Sequence, residues 1–144
     1  MAANALDIDG CAWLDLPHIG DARGHLVFAE GGSHLPFDVA RVFYMYGVPR
    51  GASRGAHGHR QLRLVLAALA GGVDVLLDDG RAKQRVRLER PERGLLIGAW
   101  VWHELVDFAP GTVVLALASG RYEEADYIRD YGQFAREVAA RGRS

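Results

Sequence analysis

His57 and His59 stand one residue apart, and His103 follows at the end of a later apolar run. Alternate residues of a strand point to one face, so the first two histidines share a face. The third meets them only where the sheet closes on itself into a barrel. Imidazole is the side chain that titrates near neutrality, so clustered histidines suit proton transfer or metal binding. Spacing alone leaves both uses open.

The pattern around these residues predicts a β-rich chain. Leu26–Glu30 reads as a short strand after a turn at Asp21-Ala22-Arg23-Gly24. Val39–Val48 alternates and is rich in β-branched and aromatic residues, and the stretch from Pro49 to Gly55 breaks it as a loop. Leu62–Leu69 is apolar, and Gly71-Gly72 turns the chain into a strand at Val73–Leu77. Asp78-Asp79-Gly80 is a hairpin signal leading to Gln84–Leu88. Gly94–Val101 and Val113–Ala118 are further apolar runs. Strands at this spacing predict an antiparallel sandwich or barrel. From about Asp126 the tail changes, with Tyr127, Tyr131, Phe134 and Val138 at helical spacing.

Composition excludes several classes. A chain of 144 residues supports one domain, 1–144, with a real core. A net charge of −1 gives no electrostatic reason to expect nucleic acid or a membrane surface. No apolar run approaches the roughly 20 residues of a membrane span. The N-terminus lacks the basic start and apolar core of a signal peptide. The single cysteine, Cys11, forms no internal disulfide, and the expected location is cytoplasmic. Cys11 itself reads as a small half-buried residue, because nothing near it in sequence would activate a thiolate.

Inward histidines in a small β-barrel are the cupin arrangement. Gly51, five residues, then His57-x-His59 resembles the first cupin motif, and Gly98 five residues before His103 resembles the second. The metal-binding version carries a Glu about four residues after the second histidine. Arg63 stands there, beside Leu64, and neither is a ligand. Three histidines still form a donor set for a divalent ion. The substitution of a cation for the carboxylate leads us to expect no metal and no cofactor.

Six stretches narrow the resemblance: Asp21-Ala22-Arg23-Gly24, Arg41-Val42-Phe43-Tyr44, Arg54-Gly55-Ala56-His57-Gly58-His59, Leu76-Leu77-Asp78-Asp79-Gly80, Val101-Trp102-His103-Glu104 and Asp126-Tyr127-Ile128-Arg129-x-Tyr131. In this order and at these intervals, they resemble the WxcM-like cupin family of sugar-nucleotide 3,4-ketoisomerases. The resemblance covers most of the chain after about residue 15. It departs at Arg63-Leu64, where the family usually has Glu-Gln. It implies a jelly-roll barrel with a C-terminal helix and a metal-free homodimer with strands exchanged between subunits. The implied substrate is a dTDP-linked 4-keto-6-deoxy sugar. An Arg in the early turn with a His after the late Trp, here Arg23 and His103, resembles the type giving the 3-keto-6-deoxygalactose product.

The implied chemistry matches the residue types. Moving a ketone from C4 to C3 needs removal of the C3 proton, an enediolate, and return of a proton at C4. A neutral histidine serves as base and its conjugate acid returns a proton. His57 is the candidate base, His59 an orienting or relaying partner, and His103 a donor from the other wall. Arg23, Arg54 and Arg129 lie inside the matching stretches and suit phosphate oxygens, with Tyr44 and Tyr127 as further substrate contacts. His18, His25 and His34 read as surface residues, Trp100 and Trp102 as packing, and Arg81, Lys83, Arg85 and Arg87 as a solvated strand face. Two other readings stay open: a metal-dependent cupin isomerase or dioxygenase, and a sugar-nucleotide binding module without turnover.

Overall fold

The computed structural model describes residues 3–142. The strands follow as β1 (Ala3–Ala5), β2 (Cys11–Asp15), β3 (His18–Asp21), β4 (Gly24–Val27), β5 (Arg41–Tyr46), β6 (Arg54–His59), β7 (Leu64–Ala70), β8 (Val73–Asp78), β9 (Lys83–Leu88), β10 (Arg93–Ile97), β11 (Trp102–Val106), β12 (Val113–Ala118) and β13 (Tyr127–Ile128). A single α-helix, α1 (Tyr131–Arg141), closes the series. A six-stranded sheet in the order β1-β2-β10-β7-β12-β5 faces a five-stranded sheet in the order β13-β6-β11-β8-β9. Among the described residues every ladder in these sheets is antiparallel. This is the expected jelly-roll barrel with a C-terminal helix.

The core lies between the sheets. Leu64, Leu66, Ala68, Leu95, Ile97, Val114 and Ala116 from one meet Val73, Val75, Leu77, Leu88 and Leu105 from the other. β7 is buried on both faces, because Val65 joins Leu14, Leu16, Leu35 and Phe37 in a second cluster on the back of its sheet. This explains why 64–69 reads as a continuous apolar run rather than an alternating one. The Asp78-Asp79-Gly80 turn joins β8 to β9 as expected. Its Asp79 carboxylate accepts from the Arg81 and Ala82 amides, each at 2.8 Å. Arg85 and Arg87 pair with Asp74 on the outer face, so the basic stripe is a solvated strand face.

Two expectations are corrected here. Tyr127 is on strand β13, not on the helix, which begins at Tyr131 after its N-cap, Asp130. The stretch Cys11–Asp15 is an interior strand of the larger sheet, and Cys11 is fully buried rather than half-buried, which pushes its thiol up to about 12. The hairpin β3–β4 forms its own two-stranded sheet and is exposed except at Val27, which packs against the second cluster.

α1 is amphipathic, and Phe134 is its one buried residue. Phe134 is wholly buried and packs against the Trp102 ring at 5.7 Å and against Gly58, where an added Cβ would lie 3.0 Å from the ring. Arg60 ties the helix to the barrel through Glu137, with contacts at 3.1 and 2.9 Å. Phe134→Ala removes the anchor and leaves a void, so we expect a loss of about 3–5 kcal/mol. Urea unfolding with an unchanged slope measures it; a loss below about 1 kcal/mol would show that the helix contributes little to the fold.

Candidate active site

β6 and β11 carry the three histidines. His57 and His103 are direct cross-strand partners, and beyond them the register shifts, with Glu104 opposite Gly55. Ala56 is therefore an extra residue, a bulge. Gly55 and Ala56 both take positive φ, at 90° and 62°. Glycine adopts that conformation freely and alanine does not, so the kink before His57 is held by the ladder around it. Beyond the kink, regular alternation puts His57 and His59 inward and Gly58 outward.

The rings form one cluster. His57 lies 4.9 Å from His59 and 4.8 Å from His103 between centroids, and His59 stacks with His103 at 5.8 Å. Tyr127 on β13 meets His57 at 4.9 Å and His59 at 4.4 Å. These residues line a cavity of about 470 Å³ between the sheets. The facing sheet gives it an apolar wall of Phe43, Met45, Leu64 and Leu66, and Leu105 lies on the histidine side. Arg41, Arg54 and Arg129 supply the positive charge.

Three buried side-chain nitrogens among the described residues have no hydrogen-bond partner: Arg41 Nε, His57 Nδ1 and His59 Nε2. All belong to residues lining this cavity. Unpaired buried polar atoms are costly, so their convergence marks a place built for a polar ligand. A larger cavity of about 660 Å³ lies by Asp9, Arg63, Trp100 and Arg141, and none of the unpartnered atoms belongs to its lining residues.

Burial keeps the imidazoles neutral. It lowers His57 to about 4, aided by His59 and by the charges of Arg129 and Arg41. His103 is pushed to about 3 by burial and by its two neighbours. His59 is lowered by burial too, with Asp126 opposing the shift. His103 is thus a neutral N–H group at rest, with Nδ1 directed at the Val101 carbonyl 3.5 Å away.

The site brings together most of the residues expected from sequence. His57, His59, His103, Arg54, Tyr127 and Arg129 line the cavity. Tyr44 reaches only the rim. Its ring is 63% exposed and stacks on Tyr46 across the outer face of β5, because that strand turns Arg41, Phe43 and Met45 inward. Arg23 does not reach the cavity of its own chain. It sits at the tip of the β3–β4 hairpin, 89% exposed, paired with Asp21 at 2.6 Å.

Sequence reasoning missed Arg41 and Asp126 as site residues. Arg41 Nη2 donates to the Tyr127 hydroxyl at 3.3 Å, and the period-two pattern of β5 was the available signal. Asp126 contacts His59 Nδ1 at 3.1 Å from outside the cluster. At the departure from the cupin pattern, Leu64 faces the cavity and Arg63 turns away, its guanidinium 5.3 Å from the Phe37 ring. The three histidines offer ligand nitrogens within 4.8 Å of one another, a donor set fit for a divalent ion as Lewis acid, with no carboxylate from position 63 or 64 to complete it.

Comparison with known proteins agrees with this geometry. The family model FdtA, described as WxcM-like, C-terminal, matches residues 9–139. A TDP-4-oxo-6-deoxy-alpha-D-glucose-3,4-oxoisomerase from Aneurinibacillus thermoaerophilus is 40% identical over 126 residues, covering 88% of this chain and 91% of that protein. The QdtA 3,4-ketoisomerase from Thermoanaerobacterium thermosaccharolyticum, solved as a double mutant with TDP, superposes with a TM-score of 0.91 at 40% identity, covering 93% of this chain and 97% of that one. A further variant of that enzyme, in complex with TDP-4-keto-6-deoxyglucose, gives a TM-score of 0.91 at 38% identity over 93% and 97% of the two chains. With a family match over nearly its whole length, a barrel that superposes on these isomerases and a histidine-lined cavity between its sheets, the chain belongs to the WxcM-like family of sugar-nucleotide 3,4-ketoisomerases.

Proposed function

We propose that this chain converts a TDP-linked 4-keto-6-deoxyglucose into its 3-keto isomer by proton transfer alone. The carrying observation is the set of unpartnered buried nitrogens around one cavity. They give a proton acceptor, a second acceptor and a cation at one wall, which are the groups an enediolate pathway uses. A binding module would not require unpaired imidazoles.

His57, neutral and opposite His103, removes the C3 proton, which the adjacent C4 carbonyl acidifies. The electron pair moves into the enediolate, and the growing charge on oxygen is held by nearby donors. Arg41 is placed for this, since its Nε faces the cavity without a partner. A proton returns to C4 and the C3 oxygen becomes the carbonyl. Electrons balance within the sugar, so the step needs no redox cofactor. Arg54 and Arg129 suit the diphosphate. The apolar side chains of Leu64, Leu66 and Leu105 suit the unsubstituted 6-methyl of a deoxy sugar.

We assign the 3-keto-6-deoxygalactose configuration to the product, on the resemblance carried by Arg23 and His103. His103 lies against both His57 and His59 at the wall of the cavity. Incubation with TDP-4-keto-6-deoxyglucose in deuterated water should place deuterium at C4. Trapping the product as a 3-amino sugar should give couplings of an axial C4 hydroxyl, and an equatorial hydroxyl would overturn the configuration only. His57→Asn should keep nucleotide binding and lower turnover roughly 100-fold or more. Retention of most activity would move the base elsewhere.

The depressed value of His57 fixes the sign of the pH dependence. A base works when unprotonated, so kcat/KM should stay level as pH falls through the ordinary histidine value near 6.5. It should drop only toward about 4. Folding stability moves in a related window. Below about 6.5 the unfolded chain gains protons that the folded histidines refuse, so stability declines as pH falls. An inflection of kcat/KM near 6.5 would show that the working base is not buried in this way.

We further propose a homodimer in which the hairpin β3–β4 packs on a second copy. Ile19 and Leu26 of the hairpin are exposed, as are Val42, Tyr44 and Tyr46 on β5, the edge strand of the larger sheet. Edge strands are normally covered or paired. Such packing would carry Arg23 from its own chain to the partner's cavity. Light scattering at micromolar concentration should give twice the chain mass, and a monomer mass would overturn this arrangement. Within this reading the protein works in the cytoplasm; among the described residues no helix is long and apolar enough to cross a membrane.

A further inference from the structure

The carboxylate missing at position 63, just before β7, has a counterpart on another element. Asp126, at the end of the 3-10 turn Glu124–Asp126, approaches His59 from outside the cavity. Its Oδ2 lies 3.1 Å from His59 Nδ1 and accepts the Leu62 amide at 3.2 Å. Its Oδ1 accepts the Gln61 amide at 2.7 Å. The backbone carbonyl of Asp126 accepts from the Arg60 amide at 3.0 Å, and Arg60 Nη1 donates to the Ala125 carbonyl at 2.7 Å. The turn is therefore clipped to the end of β6, and the carboxylate has no freedom to leave His59.

This placement decides which His59 nitrogen carries the proton. A carboxylate oxygen accepts and has no hydrogen to give, so Nδ1 must be the N–H. Nε2 is then a bare lone pair. It is also one of the buried atoms without a partner, and His59 lines the cavity. The isomerisation needs such an acceptor in addition to the base that works on carbon. The substrate's C3 oxygen begins as a hydroxyl and ends as a carbonyl, while the C4 oxygen does the reverse. One proton must cross from the first oxygen to the second.

We infer that Asp126 is a positioning residue that locks His59 in the Nδ1–H tautomer, so that Nε2 takes the proton from the C3 hydroxyl and returns it to the C4 oxygen. This rests on the ketoisomerase reading above. The O–H bond at C3 breaks as the N–H bond at Nε2 forms, and that bond breaks as the C4 hydroxyl forms, so the enzyme ends unchanged. The transient imidazolium lies beside a carboxylate, which stabilises it. His57 is left free for the carbon-bound proton.

The test begins with the wild-type protein. Long-range proton–nitrogen NMR distinguishes a protonated ring nitrogen from a bare one, and should show His59 with hydrogen on Nδ1. Hydrogen on Nε2 would overturn the inference without any variant. In Asp126→Asn, the remaining oxygen keeps the short Gln61 contact and the amide NH2 faces His59 Nδ1, which drives hydrogen to Nε2. We expect kcat to fall about 10- to 100-fold, with KM nearly unchanged. His59→Asn combined with Asp126→Asn should be no slower than His59→Asn alone, because Asp126 acts through His59. A purely structural clip would instead multiply the two losses and leave the tautomer unmoved, and that outcome overturns the inference. If Asp126→Asn fails to fold, the wild-type spectrum decides. A wild-type protein that leaves TDP-4-keto-6-deoxyglucose unchanged refutes the ketoisomerase reading, whereas a turning-over enzyme with Nε2–H refutes this inference alone.

Discussion

Strand β6 is the member on which the site depends, and its two edges do different work. On one edge it pairs with β11, which sets His57 against His103. On the other it pairs with the two-residue strand β13, which sets Tyr127 against His59. Loss of either ladder would leave one histidine of the cluster without its neighbour. Interior imidazoles carry a desolvation cost whenever they protonate. The barrel meets that cost by keeping all three neutral at rest and leaving a cavity where their free nitrogens meet a ligand. The resting site is thereby a set of neutral imidazoles around one cavity.

Much of this was legible because strand periodicity is rigid. His57 and His59 share a face by the two-residue period, and the apolar runs at 73–77 and 113–118 fall on the observed strands β8 and β12. Tyr127 was misplaced because Tyr127, Tyr131 and Phe134 also satisfy a helical period. Asp130 settles the matter by capping the Gln133 amide at 2.8 Å, and an N-cap ends the helix four residues short of Tyr127 on that side. Tyr44 was preferred over Arg41 because a tyrosine reads as a ligand contact. The alternation of β5 turns the arginine inward instead, where its guanidinium lies 4.8 Å from the Phe43 ring and reaches the Tyr127 hydroxyl. Cys11–Asp15 left little local signal, since its pairing with β10 joins residues far apart in sequence. Asp126 could not be found from spacing at all, because a contact across 67 residues is a product of the fold.

The substitution at 63–64 shows how a local departure can leave chemistry standing. The cupin pattern places a carboxylate at position 63, just before β7. The structure turns Arg63 outward to Phe37 and puts Leu64 on the cavity wall. A leucine there costs the site a polar group and gains an apolar surface continuous with Leu66. The polar partner of His59 comes from the far end of the chain.

Gly58 connects the cluster to the helix. Alternation sends the residue between two inward histidines outward, and on this strand the outward side is where α1 docks. A side chain at 58 would meet the Phe134 ring at 3.0 Å and the Val101 carbonyl at 3.4 Å. Phe134 is wholly buried only because nothing stands there. The helix that it anchors carries Glu137, which holds Arg60, and Arg60 donates to the carbonyls of Ala125 and Tyr127. Those carbonyls flank Asp126. A chain of packed and hydrogen-bonded groups thus runs from the C-terminal helix, through Arg60, to the turn that orients His59. The glycine of His-Gly-His is therefore as much a part of the motif as its histidines: its missing side chain admits the element that keeps the second histidine's partner in place.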